Sequence, residues 1–223
     1  MEKIFGDKDR GPWIITFTGK HFHYKSPRVE DIDPMDIAIS LSRECRYAGH
    51  SISFYSVAQH SVLVSEKMES SFFYSGGPDI YFYPNPSQVA HIPVEEGMVD
   101  RTLAAIGMLG LLHDASEAYM RDLPSPLKSL LSEYKAIEAE VSCVIFDKWD
   151  LNTLRSRSHV DAMIHKTDKR VFATEVRDLI KHKEVWEEGW EPYTDIKIDP
   201  APPDTACVLF LARFHELLKR IEG

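Results

Sequence analysis

Only three cysteines occur in 223 residues, Cys45, Cys143 and Cys207, and no two of them form a CxxC pair. That spacing argues against a disulfide framework and against a zinc knuckle. No apolar run approaches the roughly 20 residues a membrane-spanning helix needs, and the opening MEKIFGDKDR lacks a signal peptide's apolar core. The expectation is a cytoplasmic protein with no membrane partner. Positive charge is also short, since 26 Lys and Arg face 35 Asp and Glu for a net charge of −9. A protein that coats a nucleic-acid duplex needs a field of lysine and arginine, so that class falls away. One small phosphorylated ligand held by a few local cations does not. Internal repeats and the HExxH zinc-protease pattern are both missing. What remains is a globular composition, 43% hydrophobic and 27% charged, with enough chain for a full core in a single domain over 1–223.

The pattern of apolar residues sets the class. Residues 13–24, WIITFTGKHFHY, are β-branched and aromatic around Thr18-Gly19-Lys20 and predict a short hairpin. His21 and His23 alternate on one strand without a nearby acid and read as surface or edge residues. After the hairpin the spacing is helical. Asp33-Pro34 offers an N-cap and a first-turn proline, with Gly49 past the expected end. A helix over 56–69 aligns Val57, His60, Ser61, Val64 and Met68. Another over 96–120 aligns Ile106, Leu109, Gly110, His113 and Glu117. A helix from Ser125-Pro126 to about 149 turns Leu127, Leu130, Leu131, Tyr134, Ile137, Val141 and Val144 inward. One over 158–186 lines up Val160, Ile164, Asp168, Val171 and Glu175. The last, 204–221 within a C-terminal segment 200–223, shows Val208, Leu211, Phe214 and Leu218. The class is all-α with an N-terminal hairpin. Residues 70–93, rich in Gly, Pro and aromatics, break the pattern and read as a long inserted loop, a flap or association surface. Within it, Tyr81-Phe82-Tyr83 is read as ordinary packing ahead of a base-stacking surface. The charge-rich 181–188 reads as a solvated helix end.

Three inward faces carry groups that packing alone does not call for. His60 sits among Val57, Val64 and Met68; His113 and Asp114 end the Ile106–Leu109 stripe; Asp168 lies between Ile164 and Val171. Carboxylates are rarely buried without a partner or a cation, because removing the charge from water is expensive. Any one of these residues alone has an ordinary reading as a satisfied core histidine or a partner of a nearby arginine. Two imidazoles and two carboxylates on converging helices would instead form a divalent-metal site. Neighbours on a helix point about 100° apart, so His113 and Asp114 could flank one ion. Glu117, one turn beyond His113, could then act on a water beside it. Glu175 and Arg177 continue the Asp168 register; an ordinary ion pair within the helix is favoured over ligand-orienting partners.

The segments FYSVAQHSVLVSE, LLHDASEAYMRDLPSPLK and KTDKRVFATEVRDL resemble the ordered motifs of HD-domain metal-dependent phosphohydrolases. They are most similar to the branch holding the YfbR-type 5′-deoxynucleotidases and the phage dATP triphosphohydrolases. The resemblance spans residues 32–179 and implies an HD-domain helical bundle. It implies that His60, His113, Asp114 and Asp168 ligate one divalent transition metal (Mn²⁺, Co²⁺, Zn²⁺ or Fe²⁺). It gives Glu117 the role of catalytic carboxylate and Asp122 that of a second acid, with Arg46 meeting the substrate phosphate and Lys128 a further cation nearby. Asp161, the other candidate for the last ligand, lacks the TDKRxxxTExRDL surroundings of Asp168. The expected activity is 5′-deoxynucleotidase, with dNTP triphosphohydrolase, aided by a second Mg²⁺, as the alternative and a non-catalytic nucleotide sensor as a third reading. A homo-oligomer is also expected from the resemblance.

Overall fold

The computed structural model describes residues 10–74, 76–77, 79–85, 88–95, 97–182 and 189–223. It is mostly helical, with the expected N-terminal hairpin and one further small sheet. The hairpin pairs β1 (Trp13–Ile15) with β2 (His21–His23) in antiparallel register, Trp13 opposite His23. Gly19 turns the chain at φ +87°, a conformation that glycine adopts without steric cost. The tip is tied down by Asp36, whose buried carboxylate accepts from the Thr18 N–H at 2.7 Å and the Thr18 hydroxyl at 2.8 Å. Phe22 points inward and stacks on Tyr119 with ring centroids 4.0 Å apart. His23 is buried too, its Nδ1 3.2 Å from the Gly11 carbonyl, which corrects the reading of it as a surface residue.

The helix α1 (Pro34–Arg43) begins as its sequence predicts, with Asp33 accepting from the Met35 N–H at 3.0 Å and Pro34 in the first turn. It stops at Arg43. A short 3-10 turn, Arg46–Gly49, follows, in which Tyr47, Ala48 and Gly49 all lie in left-handed backbone at φ 59°, 49° and 82°. The helix α2 (Val57–Ser70) is capped by Ser56 and buries Val57, His60, Ser61, Val64 and Met68, the predicted face.

The long loop expected over 70–93 is instead an antiparallel sheet of β3 (Phe72–Tyr74), β4 (Asp79–Asn85) and β5 (Gln88–Pro93) in that order. Phe72 pairs with Phe82 and Ile80 with Ile92, and all four side chains are buried. That alternation of apolar positions is the period of a strand, masked in sequence by the surrounding Gly and Pro. Phe82 is therefore core, in line with ordinary packing; the side chain of Tyr83 lies outside the described residues.

The helix predicted over 96–120 divides into α3 (Val99–Leu112) and α4 (Glu117–Met120), separated by the turn that carries His113 and Asp114. The one predicted from Ser125 divides likewise into α5 (Ser125–Lys128) and α6 (Ser132–Asp147). Leu131 leaves the helical region at φ −116°, ψ 80°, so Leu127, Leu130 and Leu131 share no face with the residues after them. They are exposed, Leu130 at 79%, contrary to their predicted inward orientation. After α7 (Asn152–Arg155) comes α8 (Ser158–Leu179), whose end falls short of residue 186; most of the segment 181–188 lies outside the described residues. The last helix, α9 (Pro203–Glu222), buries Ala206, Cys207, Phe210, Phe214 and Leu217, while Val208 is 65% exposed. Phe214 lies on the predicted face and is buried, Leu211 and Leu218 of that face are partly buried against the core, and Val208 alone of the four points outward.

The helices α2, α3 and α9 pack against one another, with α1 across α9 and α8 against α2. The helices α2 and α3 approach closely at Gly110 of α3, where an added Cβ would stand 2.9 Å from the Ser65 Cα and 2.9 Å from Met68 Cγ. Backbone cannot yield as a side-chain tip can. Gly110→Ala should therefore destabilise the fold by about 1–3 kcal/mol, the range for an overpacked core, as read by urea unfolding. It should also weaken cation binding, because it pushes apart the two helices that position His60 and His113.

Candidate metal centre

His60 projects from the middle of α2, His113 from the end of α3, Asp114 from the turn after it and Asp168 from α8. Their side chains converge. The His60 Nε2 lies 3.3 Å from His113 Nε2, 3.2 Å from Asp168 Oδ1 and 3.6 Å from Asp114 Oδ2. The His113 Nε2 is 3.2 Å from Asp114 Oδ2 and 3.9 Å from Asp168 Oδ1. Ligands about 2.1 Å from a shared ion stand about 3.0–3.4 Å apart on the edges of an octahedron or tetrahedron. Three of the five separations, at 3.2, 3.2 and 3.3 Å, fall in that range, and those at 3.6 and 3.9 Å lie a little beyond it. His60, His113 and Asp168 each offer one ligand atom, all within 4.8 Å of one another, and could hold a metal ion. Asp114 Oδ2 closes on both imidazole nitrogens and adds a fourth ligand atom, the second oxygen.

The imidazoles are oriented for this. His113 Nδ1 donates to the Gly110 carbonyl at 2.8 Å, and His60 Nδ1 donates to Glu175 Oε1 at 2.6 Å. With each Nδ1 proton fixed, each Nε2 faces the common point. A proton on His60 Nε2 can serve one of its three neighbours at a time, whereas a cation serves them all.

Glu175 is the residue whose part the sequence reading undervalued. It is fully buried and receives, besides His60, the Arg46 Nε–H at 3.1 Å and the Tyr47 hydroxyl at 2.6 Å. Burial alone would raise its pKa, but Arg46 and His60 outweigh that and hold it below the usual carboxylate value. Glu175 orients a candidate ligand, and among the described residues its ion-pair partners, Arg46 and His60, lie outside its own helix. Arg177 turns instead to Asp178 and to the carbonyls of Tyr193 and Ile196. Tyr47, unmarked in sequence, lies in left-handed backbone and reaches Glu175 of α8 with its hydroxyl. Arg46 is likewise occupied, with Nη1 3.5 Å from Asp114, yet it also lines the cavity beside the centre.

Burial would raise the pKa of Asp114 and Asp168, but the imidazoles outweigh it and both carboxyls are lowered. Burial would depress His60, and Arg46 with it, yet Glu175 and Asp168 prevail and lift it to about 9. In the ion-free protein, protonated His60 thus adds stability that is complete below about pH 6.5 and is lost as pH rises toward about 9. A cation competes with that proton. Its affinity should climb about tenfold per pH unit across the same interval, which thermal melts of chelator-stripped protein and metal titrations at pH 6 to 9 would check.

The two predicted acids lie alongside. Glu117 opens α4, is nearly buried, and has Oε1 3.3 Å from Lys128 Nζ while Oε2 has no hydrogen-bond partner. Burial, then Asp114 and Asp122, push its pKa well up and favour the protonated acid. Asp122 is raised as well, chiefly by burial. The preceding Arg121 sits at φ 83°, ψ 145°, a region glycine usually occupies, and Glu44 holds the turn by accepting the Asp122 N–H at 2.9 Å. Glu44 escaped the sequence reading, since a lone acid after a helix carries no signal. Lys128 bridges Glu117 and Glu138, the latter at 2.7 Å, and is not among the residues lining the cavity. That cavity has a volume of about 580 Å³ and runs from Arg46, Asp122 and Asp168 to apolar walls that include Pro124, Phe172 and Ile180. Asp161 is exposed, and it is not part of the converging group.

No family model matches the chain. It is 34% identical over 208 residues, 92% of this chain and 95% of the relative, to the uncharacterized protein YfdR of Escherichia coli (strain K12). The chain belongs to the YfdR family. A second relative of this YfdR-family chain, the uncharacterized protein RCAP_rcc00048 of Rhodobacter capsulatus, is 24% identical over 225 residues, 95% of this chain and 98% of its own. Among the described residues of the YfdR-family protein, no helix is long and apolar enough to cross a membrane.

Proposed function

We propose that this YfdR-family protein is a metal-dependent phosphohydrolase of the HD-domain kind that cleaves the 5′-phosphoester bond of deoxynucleotides. The observation that carries the reading is the convergence of His60, His113, Asp114 and Asp168 beside the buried acid Glu117, at one end of a cavity of nucleotide size. A bound Mn²⁺, Co²⁺, Zn²⁺ or Fe²⁺ would neutralise phosphoryl charge and make a nearby water more acidic.

The chain's own groups supply the rest. His60 and His113 are locked by Glu175 and the Gly110 carbonyl, so a cation meets ligands already in place. Arg46, held at Nε by Glu175 and with Nη1 beside Asp114, lines the cavity and can serve there as a phosphate partner. Glu117 in its protonated form can give a proton to the departing 5′-oxygen, with Asp122 at hand to orient or deprotonate the attacking water. The apolar wall of Pro124, Phe172 and Ile180 suits the base and sugar. The reading takes the cytoplasm, where deoxynucleotides are found, as its compartment.

The test is a screen of every dNMP and dNTP against a panel of these metals, reading orthophosphate and tripolyphosphate separately. Protein that binds a metal stoichiometrically and yet turns over none of these nucleotides would refute the proposal and favour a nucleotide sensor.

A further inference from the structure

A separate cavity, about 270 Å³ in volume, lies at the other end of α3 from His113. Met98, Arg101, Thr102 and Ala105 line it from the start of that helix. From Thr102 to His113 the helix axis runs roughly 16 Å, at 1.5 Å per residue. No residue of this cavity belongs to the converging group or to the larger cavity beside it.

Its wall has two characters. Ile92, Met98, Trp149 and Leu154 make an apolar side, and the Trp149 indole is held edge-on against Phe214 with ring centroids 5.1 Å apart. The polar side carries Arg157, half-buried, with Arg101 and Asp150 at the exposed mouth. The Thr102 hydroxyl is already committed to the Met98 carbonyl at 2.9 Å. Among the described residues, neither guanidinium donates a hydrogen bond or pairs with a carboxylate, Asp150 included. Other partly buried arginines of this protein are matched: Arg10 by Asp31, Arg46 by Glu175, Arg177 by Asp178, and both Arg213 and Arg220 by Glu69. Beside Arg157 the chain supplies imidazoles instead of acids. Burial, then Arg157 and His91, lowers the pKa of His159.

Size and charge together say what fits. Two cations against one carboxylate leave the lining with one net positive charge, so its complement carries a single negative one. The volume is less than half that of the cavity beside the metal centre and lies below the roughly 300–1,000 Å³ of sites for larger ligands. A nucleotide is too large and, as a polyanion, would meet Asp150. A guanidinium takes a carboxylate through two parallel hydrogen bonds, and an indole face takes an apolar body. We propose that this cavity is a binding site for a small organic monocarboxylate, its aryl or alkyl body against Trp149 and Leu154 and its carboxylate on Arg157, with Arg101 at the mouth. The site is independent of the phosphohydrolase reading and stands or falls on binding alone.

The experiment titrates 3-phenylpropanoate and octanoate into the folded protein by calorimetry and locates the bound acid by amide hydrogen exchange. The two acids distinguish an aryl from an alkyl body, and the matching alcohols, 3-phenylpropan-1-ol and octan-1-ol, are the neutral controls. The expected result is one-to-one binding of at least one acid, with slowed exchange in the segments 98–105 and 149–157. Arg157→Gln should weaken binding at least tenfold, and the matching alcohol should bind at least tenfold more weakly than its acid. Ala105→Leu fills the cavity from α3, leaves both arginines in place, and should abolish binding. Circular dichroism confirms that the variants are folded. Binding of neither acid overturns the proposal, as does an affinity unchanged by either substitution. Equal affinity for acid and alcohol also overturns it, leaving an apolar hollow without anion recognition. Slowed exchange around residues 46 and 113 in place of these segments puts the acid at the metal centre and overturns it as well.

Discussion

Replacing Glu175 by alanine is expected to destabilise the protein by about 3–5 kcal/mol, the range seen when one partner of a buried ion pair is removed. Arg46 would be left buried without its closest counter-charge, Tyr47 without its acceptor and His60 without the group that fixes its Nδ1 proton. Cation affinity should drop about 10- to 100-fold in parallel, as when an orienting partner of a ligating histidine is lost. Urea unfolding of the stripped protein reads the first effect and a competitive chelator titration reads the second. Glu175→Gln separates the contributions. It keeps groups of the same shape but removes the charge, so Arg46 remains unneutralised. A loss below about 1 kcal/mol in the alanine variant would mean that Arg46 finds solvent or Asp114 instead, and that the carboxylate is not what holds α8 to the turn before α2.

The second large effect is catalytic. Glu117→Gln should lower turnover of the best nucleotide substrate by about 10²- to 10⁴-fold, the usual contribution of a positioned acid or base, while metal content stays at the wild-type level. The amide matches the carboxyl in size but cannot transfer a proton at the relevant pH. Because Glu117 is buried with one oxygen unpartnered and a raised pKa, neutralising it should leave the melting temperature unchanged or higher. Turnover within a few-fold of wild type would remove Glu117 from the chemistry and leave Asp122 as the acid to examine. Loss of metal together with activity would instead make Glu117 part of the cation's surroundings.

Much of the centre was readable from single positions. His60, His113 and Asp168 each interrupt an otherwise apolar helical stripe, and a polar group on a buried face has few reasons to be there. The helix phase of α2 and α8 was correct because many apolar residues vote on it. The misreadings share a cause. Leu127, Leu130 and Leu131 have helical spacing, but spacing does not reveal a break in the backbone between α5 and α6. Phe72, Ile80, Phe82 and Ile92 alternate as strand residues do, yet Gly and Pro in their neighbourhood outweighed the alternation. The groups that orient the ligands were the hardest to see. Glu175, Tyr47 and Glu44 act across long sequence separations; Glu175 shares the inward register of Asp168 but its partners are not local, and nothing local marks Tyr47 or Glu44 at all.

Glu175 joins His60, Tyr47 and Arg46 across 115, 128 and 129 residues. During synthesis, then, both histidines leave the ribosome well before the acids of α8 that complete the cage. A nascent chain would have no closed trap for a cation, and capture of one would wait until α8 had emerged and docked. On the metal-dependent reading, loading would thereby be confined to molecules that have already built their interior.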